Sequence, residues 1–266
     1  EAAGFDAPPA TIDEAWEMSE VIYEKTGAIA GGYTTTAWKD LWVLFPTYGI
    51  DLVTADGKEA AFNTPKAVEL LTKRKEYYDK GLIPDDLLQD SSLAREWYVD
   101  EKLAWWVSGP QLYRQIEDLN PDIYAKSKAA PGFVGDADTM YSAIQNVVIS
   151  NQSKHKDVAV EFVKFITNAE NQLAFTKLVP ILPVNKEAAA DDYFLEGEDS
   201  DDPQEKGLYY SAINNDKAVD MSPPIAEANL INEILTEEYE EVLLNDKDPQ
   251  KALDDAEKRV NELLAE

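Results

Sequence analysis

Trp97-Tyr98-Val99-Asp100-Glu101-Lys102-Leu103-Ala104-Trp105-Trp106-Val107-Ser108-Gly109-Pro110, followed by Gln111, is the stretch from which the rest of the chain can be placed. An amphipathic lead runs into a charged turn at Asp100-Glu101-Lys102. The apolar run Leu103 to Val107 then has the length of a buried strand, and Gly109-Pro110 stops it. A new helix is expected to start at Pro110, because proline suits the first helical position. The free N–H groups of that helix start, beside aromatic rings, suit a polar ligand with apolar faces. Trp105 and Trp106 point to opposite sides of a strand, and either of them can equally be a large core residue.

The composition narrows the function classes. With 52 acidic against 24 basic residues the formal charge is −28, which argues against nucleic acid and anionic membranes as partners, since both are held by Lys and Arg patches. The absence of cysteine removes disulfides, thiolate metal sites and cysteine nucleophiles together. At 266 residues and 44% apolar content, one large core or two smaller ones can be buried. No apolar run is long enough to span a membrane, and the start at Glu1-Ala2-Ala3 points to a processed or trimmed product.

Outward from the opening stretch, punctuation residues mark the elements. Thr11-Ile12-Asp13-Glu14 is a capping box ahead of a helix that Gly27 closes. Gly31-Gly32-Tyr33 opens an apolar helix through Trp38, Leu41, Trp42 and Phe45, ending near Pro46 and Gly49. Asp56-Gly57 predicts a hairpin between 51–53 and 60–62. Thr64-Pro65 starts a helix with Ala67, Leu70, Leu71, Tyr77 and Tyr78 inward, ended by Gly81. Beyond the centre, 143–150 predicts a short strand, and Ser153 is expected to cap a helix with Val158, Ala159, Phe162, Val163 and Ile166 inward. The acid-rich 191–205 predicts a solvated loop, since its spacing lacks the Gly and distal Glu of a calcium loop. Two helices, from Pro224 to about Leu244 and from Pro249 to Leu264, finish the chain, the second capped by Asp248 with Leu253, Ala256, Val260, Leu263 and Leu264 on its packing face.

The charged turn, Lys-Leu-Ala, two large apolar residues and Ser-Gly-Pro resemble the F-x-x-G-K-x-A-M-x-x-x-G-P-W segment of the extracellular solute-binding proteins of ABC sugar importers (family 1, the maltose-binding-protein-like group). Pro8-Pro9-Ala10-Thr11-Ile12-Asp13-Glu14 resembles their P-P-x-T-W-D-E motif. The order Gly-Gly-aromatic, Asp-Gly-Lys, Phe-Asn-Thr-Pro and Lys-Gly-Leu-Ile-Pro is similar step by step, and residues 153–184 resemble their S-x-N-K-x-x-A-x-x-F-x-x-F-x-x-x-x-E-x-Q block. The resemblance implies an α/β, class II periplasmic-binding-protein-like fold of two lobes joined by a hinge. Residues 1–141 would begin the C-terminal lobe, 142–187 return to the N-terminal lobe, and 188–266 close the C-terminal lobe. Because the P-P-x-T-W-D-E motif lies near the middle of a typical member, the N-terminal lobe is expected to be incomplete here.

No nucleophile elbow, phosphate loop or dinucleotide fingerprint is present, and the single histidine, His155, excludes a His-dependent triad or multi-His metal site. No catalytic residue, metal ligand or cofactor is therefore expected. A paired-carboxylate glycoside-processing enzyme fragment is the alternative, and a lobe used only for protein interaction is a third reading. Six Trp and thirteen Tyr favour carbohydrate, whose C–H faces stack on rings while its hydroxyls seek amides and backbone groups. The candidate ligand-binding residues are Trp38, Trp42, Trp106, Ser108, Gly109, Gln111, Tyr141 and Asn229. Trp38 and Trp42, one helical turn apart, are the expected plates, although a Trp pair at that spacing also suits a core. The resemblance places Ser108, Gly109 and Gln111 where family members touch ligand, and Asn229 where they often carry a late aromatic. Gln111 replaces the family's Trp, which implies a smaller or more polar ligand than a linear maltodextrin. The partners implied are a sugar and ABC permease subunits, and the location is outside the cytoplasm, in the periplasm or on a lipid anchor.

Overall fold

The computed structural model describes residues 2–30 and 41–265, so the expectations at Gly31-Gly32-Tyr33 and Trp38 lie outside the described residues. The chain divides into two compact units. The first takes residues 1–107, 132–142 and 219–266, and the second takes 108–131 and 143–218. The expected returning segment, 142–187, thus falls almost wholly in the second unit, together with its neighbours 108–131 and 188–218.

Helix α1 (Ile12–Thr26) opens the first unit. Thr11 Oγ1 accepts from the Glu14 N–H at 3.1 Å, and Glu14 reaches back to the Ala10 N–H at 2.8 Å, so the box closes one residue earlier than the usual pairing. Gly27, at φ +75°, donates to Tyr23 C=O and ends the helix. Helix α2 (Leu41–Thr47) contains Pro46 in its last turn, and Gly49 at φ +74° turns the chain out of it. The hairpin forms around the Val53–Ala60 bridge, with Gly57 at φ +70° in its turn. Thr64 caps α3 (Pro65–Asp79), which buries Ala67, Leu70, Leu71 and also Arg74, while Tyr77 and Tyr78 of the expected face are half-buried. The short helices α4 (Asp85–Gln89) and α5 (Ala94–Val99) lead to the opening stretch.

There the charged turn forms as read, with Glu101 at φ +60° and the Lys102 N–H donating to Trp97 C=O at 2.8 Å. The strand beyond it shrinks to one parallel bridge, in which Ile29 donates to Lys102 C=O and accepts from Ala104, each at 2.8 Å. Among the described residues, nothing in this run beyond Ala104 joins a ladder.

In the second unit a 3-10 turn, Pro110–Leu112, precedes α6 (Tyr113–Leu119), and Asn120 caps α7 (Pro121–Lys126). The two-residue strand β1 (Met140–Tyr141) belongs to the first unit and pairs with β2 (Ala218–Val219), whose Val219 opens that unit's last segment. The strand expected over 143–150 is not formed. That segment takes no regular structure, is largely exposed and joins no ladder among the described residues. Helix α8 (Lys156–Thr167) starts three residues after Ser153, whose hydroxyl instead accepts from the His155 N–H at 3.3 Å. Its expected inward face is only partly covered: Ala159, Val163 and Ile166 are half-buried, whereas Val158 and Phe162 are exposed. Helices α9 (Ala169–Thr176), α10 (Lys186–Ala189) and α11 (Pro203–Ile213) complete this unit. The acid-rich loop is more ordered than predicted. Asp191 caps a 3-10 helix over Asp192–Asp199, and Asp202 caps α11 while accepting from the Tyr124 hydroxyl at 2.6 Å.

Helices α12 (Ala228–Asn245) and α13 (Pro249–Leu264) return to the first unit. The former starts four residues after Pro224. Of the expected face, Leu253, Ala256 and Val260 are buried, with Ala252 beside them, while Leu263 and Leu264 are half-buried. Asn261 Oδ1 accepts from the Ala60 N–H at 2.7 Å and Asn63 Nδ2 donates to Glu257 at 2.7 Å, so polar bonds tie α13 to the hairpin. Tyr239, on α12, is 1% exposed and belongs to the same buried cluster as Phe45, Phe62, Leu71, Leu88 and Leu235.

Burial pushes the Tyr239 phenol up to about 12. The unfolded phenol ionises near pH 10, so the burial of neutral Tyr239 stabilises the fold fully below that pH. The contribution, about 3 kcal/mol, is lost as pH rises from about 10 through 12. We expect melting temperatures measured from pH 8 to 11.5 to fall less steeply in Tyr239→Phe than in the unaltered chain. Identical slopes would refute this assignment.

Candidate functional site

Two aromatic pairs stand at the margin of the first unit's core. Trp42, on α2, meets Tyr141, in β1, edge to face with ring centroids 5.2 Å apart and planes at 85°. Both are candidates on separate grounds of sequence, and tertiary folding brings them together across about a hundred residues of chain. Trp106 lies 6.3 Å from Tyr98 with rings tilted by 41°. All four are half-buried, so each ring is anchored on the core while part of it stays accessible. Tyr98 was not among the candidates, and the signal that could have found it is its place on the last turn of α5, just before the charged turn.

Trp105 goes elsewhere, as the alternation along the chain requires. Its ring packs edge-on to Phe133 at 5.8 Å and against Ala3, Ile22 and Ala30. The indole N–H groups of both Trp105 and Trp106 are buried without a hydrogen-bond partner among the described residues. A buried donor left unpaired costs about 1–3 kcal/mol, so this pair of rings is held at some expense to stability. Both rings are half-buried, Trp105 toward Phe133 and Trp106 toward Tyr98.

Ser108, Gly109 and Gln111 belong to the second unit. Ser108 is exposed, and Gly109 adopts an extended backbone ahead of the 3-10 turn. The Gln111 amide folds back over Gly109, where a Cβ would come within 2.2 Å of its Oε1 and 2.7 Å of its Nε2. Gly109→Ala is therefore expected to expel the Gln111 side chain from this position. Since only the end of a flexible side chain must move, the melting temperature should change by no more than about 1 °C. Loss of several degrees would show that the backbone had been displaced instead. Asn229 lies exposed in the first turn of α12, in the first unit.

A separate hollow of about 470 Å³ along α12 and α13 contains no aromatic ring. Two of its four carboxylates are held in ion pairs: Glu238 accepts from Lys247 and, at 3.2 Å, from Arg259, which also binds Glu237 at 2.5 Å. Among the described residues no group of three or more His, Asp or Glu is arranged to hold a metal ion.

Comparison with known structures gives the class first. A structure from Synechococcus sp. MITs9220, described as an oligosaccharide periplasmic-binding protein, superposes with a TM-score of 0.87 at 26% identity, over 99% of this chain and 69% of that one. The sugar-binding protein MalE of Xanthomonas citri shares the fold at a TM-score of 0.77 and 18% identity, over 99% of this chain and 65% of that one. A binding protein of Brucella abortus is 25% identical over 272 residues, which take in 99% of this chain and 63% of the relative. The chain thus spans less than two thirds of that relative's length. The profile of the family described as bacterial extracellular solute-binding protein matches residues 1–203. The chain belongs to that family, and its fold is the α/β solute-binding fold read from the sequence. No helix among the described residues is long and apolar enough to cross a membrane.

Proposed function

We propose that this chain binds a sugar or a related small polar solute reversibly and delivers it to the permease of an ABC importer, making and breaking no covalent bond. The observation that carries this reading is the anchored, half-exposed aromatic pair Trp42–Tyr141. Ring faces of this kind match the C–H faces of a sugar and need no charge, which suits a neutral ligand on a chain of net charge −28. The family membership and the description of the Synechococcus relative support the same reading. In this proposal the chain crosses between lobes near residue 142, Ser108, Gly109 and Gln111 offer hydroxyl and amide groups, and the protein works outside the cytoplasm.

The test is a thermal-shift screen against mono- and oligosaccharides. A solute at 100 times its dissociation constant stabilises the native state by about 2.7 kcal/mol, which is several degrees of melting temperature. A shift with one sugar, and that sugar recovered unchanged after a day, is the expected result. Conversion of the sugar, or a panel without any shift, would count against the proposal.

A further inference from the structure

The ring of Tyr141 is carried by residues 132–142, which run through the first unit as one strap. The strap is fixed near its start by the parallel bridge of Val134 to Thr11: the Val134 N–H donates to Ala10 C=O at 3.2 Å, and Val134 C=O accepts from the Ile12 N–H at 3.0 Å. It is fixed again just after Tyr141, where the Ser142 N–H donates to Val219 C=O at 2.9 Å. Between these points it crosses the C-terminus of α2, the helix that carries Trp42.

The crossing leaves no room for a side chain. A helix C-terminus has carbonyls without intrahelical donors, and the Thr47 C=O takes its bond from the Ala137 N–H of the strap at 3.0 Å. To make that bond the strap passes over Thr47 at Gly135, where a Cβ would stand 2.4 Å from the Thr47 carbonyl oxygen, 2.9 Å from its carbonyl carbon and 3.3 Å from Cδ2 of Tyr48. The two nearest atoms are backbone, and Thr47 is buried, so no flexible end can swing aside. Beyond the crossing Asp138, at φ +53°, turns the strap toward β1, its N–H donating to Gly135 C=O at 3.1 Å.

We infer that Gly135 is a positioning residue for the proposed binding face: its missing side chain sets how closely the strap seats on α2, and so where the Tyr141 ring meets Trp42. A binding constellation has to hold its geometry to within about 0.5 Å, and the clash of any Cβ at Gly135 exceeds that tolerance. The displacement reaches Tyr141 because the backbone between Gly135 and Tyr141 is tied to α2 through Ala137 and folded by the Asp138 turn. The binding role rests on the reading of Trp42 and Tyr141 as the sugar's ring face, whereas the seating of the strap does not.

Fluorine resonances of the chain grown with 5-fluorotryptophan test it, the Trp42 line being identified by its loss in Trp42→Phe and the Trp97 line by its loss in Trp97→Phe. Gly135→Ala is expected to move the Trp42 line in the direction in which Tyr141→Ala moves it, while the line of Trp97, on α5, stays in place. Gly132→Ala is the control within the strap: a Cβ there would stand 3.4 Å from the Met140 sulfur, an ordinary contact, and the Trp42 line should not move. A Trp42 line unmoved by Gly135→Ala would overturn the inference, and so would a Trp97 line that moves as far, since the glycine would then support the core at large. With the sugar that gives the largest shift in the screen, Gly135→Ala should weaken binding about tenfold in the unaltered chain and by no more than about twofold beside Trp42→Ala. An equal loss in both backgrounds would again overturn it. Should Gly135→Ala fail to fold, the unaltered chain decides: its Ala137 amide is expected to exchange about 100-fold more slowly than in an unstructured peptide, and exchange at the peptide rate would show that the strap is not seated on α2. The fluorine and exchange readings involve no sugar, so failure here is distinct from failure of the sugar screen.

Discussion

Trp16→Ala is expected to lower the melting temperature by about 10 °C. Trp16 is 3% exposed on α1, and its ring stacks on Tyr77 with centroids 4.4 Å apart and planes within 6°. The Arg74 guanidinium stands 4.4 Å from the same ring, and both neighbours come from α3. Truncating a buried Trp to Ala costs about 3–5 kcal/mol through lost transfer energy and the cavity left behind. Removing the cation–π contact from a desolvated guanidinium adds about 1–2 kcal/mol. At roughly 2–4 °C per kcal/mol for a protein of this size, the loss is of the stated order. The cavity already present beside Trp16 is only about 10 Å³, so the site has little slack with which to relax. Trp16→Phe should retain most of the stability, because a ring remains to stack on Tyr77. Thermal unfolding followed by circular dichroism decides the matter, and a fall below about 3 °C for Trp16→Ala would show that α1 and α3 close over the gap.

Trp42→Ala is expected to weaken solute binding by about 30- to 150-fold. A sugar face laid on an indole buries enough apolar surface to contribute about 2–3 kcal/mol, counting the ring contact itself, and each 1.4 kcal/mol is tenfold in affinity. Trp42 is half-buried against the core, so the substitution also costs some stability. Affinity must therefore be measured by calorimetry well below the variant's melting temperature. Tyr141→Phe serves as the control: it keeps the edge-to-face contact with Trp42 and removes only the hydroxyl. If Trp42→Ala binds the sugar found in the screen within threefold of the unaltered chain, Trp42 is a core residue and the binding face lies elsewhere.

The elements that were legible in the sequence are those set by neighbours in the chain. Thr11, Thr64 and Asp248 cap their helices through side-chain oxygens that reach N–H groups three residues on, and Gly27 supplies a left-handed φ. Such bonds are local, so residue type and spacing suffice to place them. The strands were the weak part. Leu103 to Val107 and 143–150 are apolar runs of strand length, but a strand exists only when another edge accepts its hydrogen bonds. Ile29 gives the first run a single bridge, and nothing described pairs with the second. Ser153 misled for a related reason, since its hydroxyl satisfies the His155 N–H in a turn before the helix begins.

By itself the sequence determined the acidic character, the absence of thiol chemistry, the helix limits at Thr11, Gly27, Thr64 and Asp248, and the order of motifs that marks the family. All of these depend on composition or on residues a few positions apart. Only the tertiary structure decided which rings are core and which are accessible. Trp16 and Trp42 both sit on amphipathic helices, yet one is sealed between α1 and α3 while the other keeps a free margin beside Tyr141. Likewise Arg74 is buried although its residue type favours the surface, because Trp16 offers its guanidinium a ring that no sequence pattern announces. Burial is a property of how distant segments meet, and local spacing limits it without fixing it.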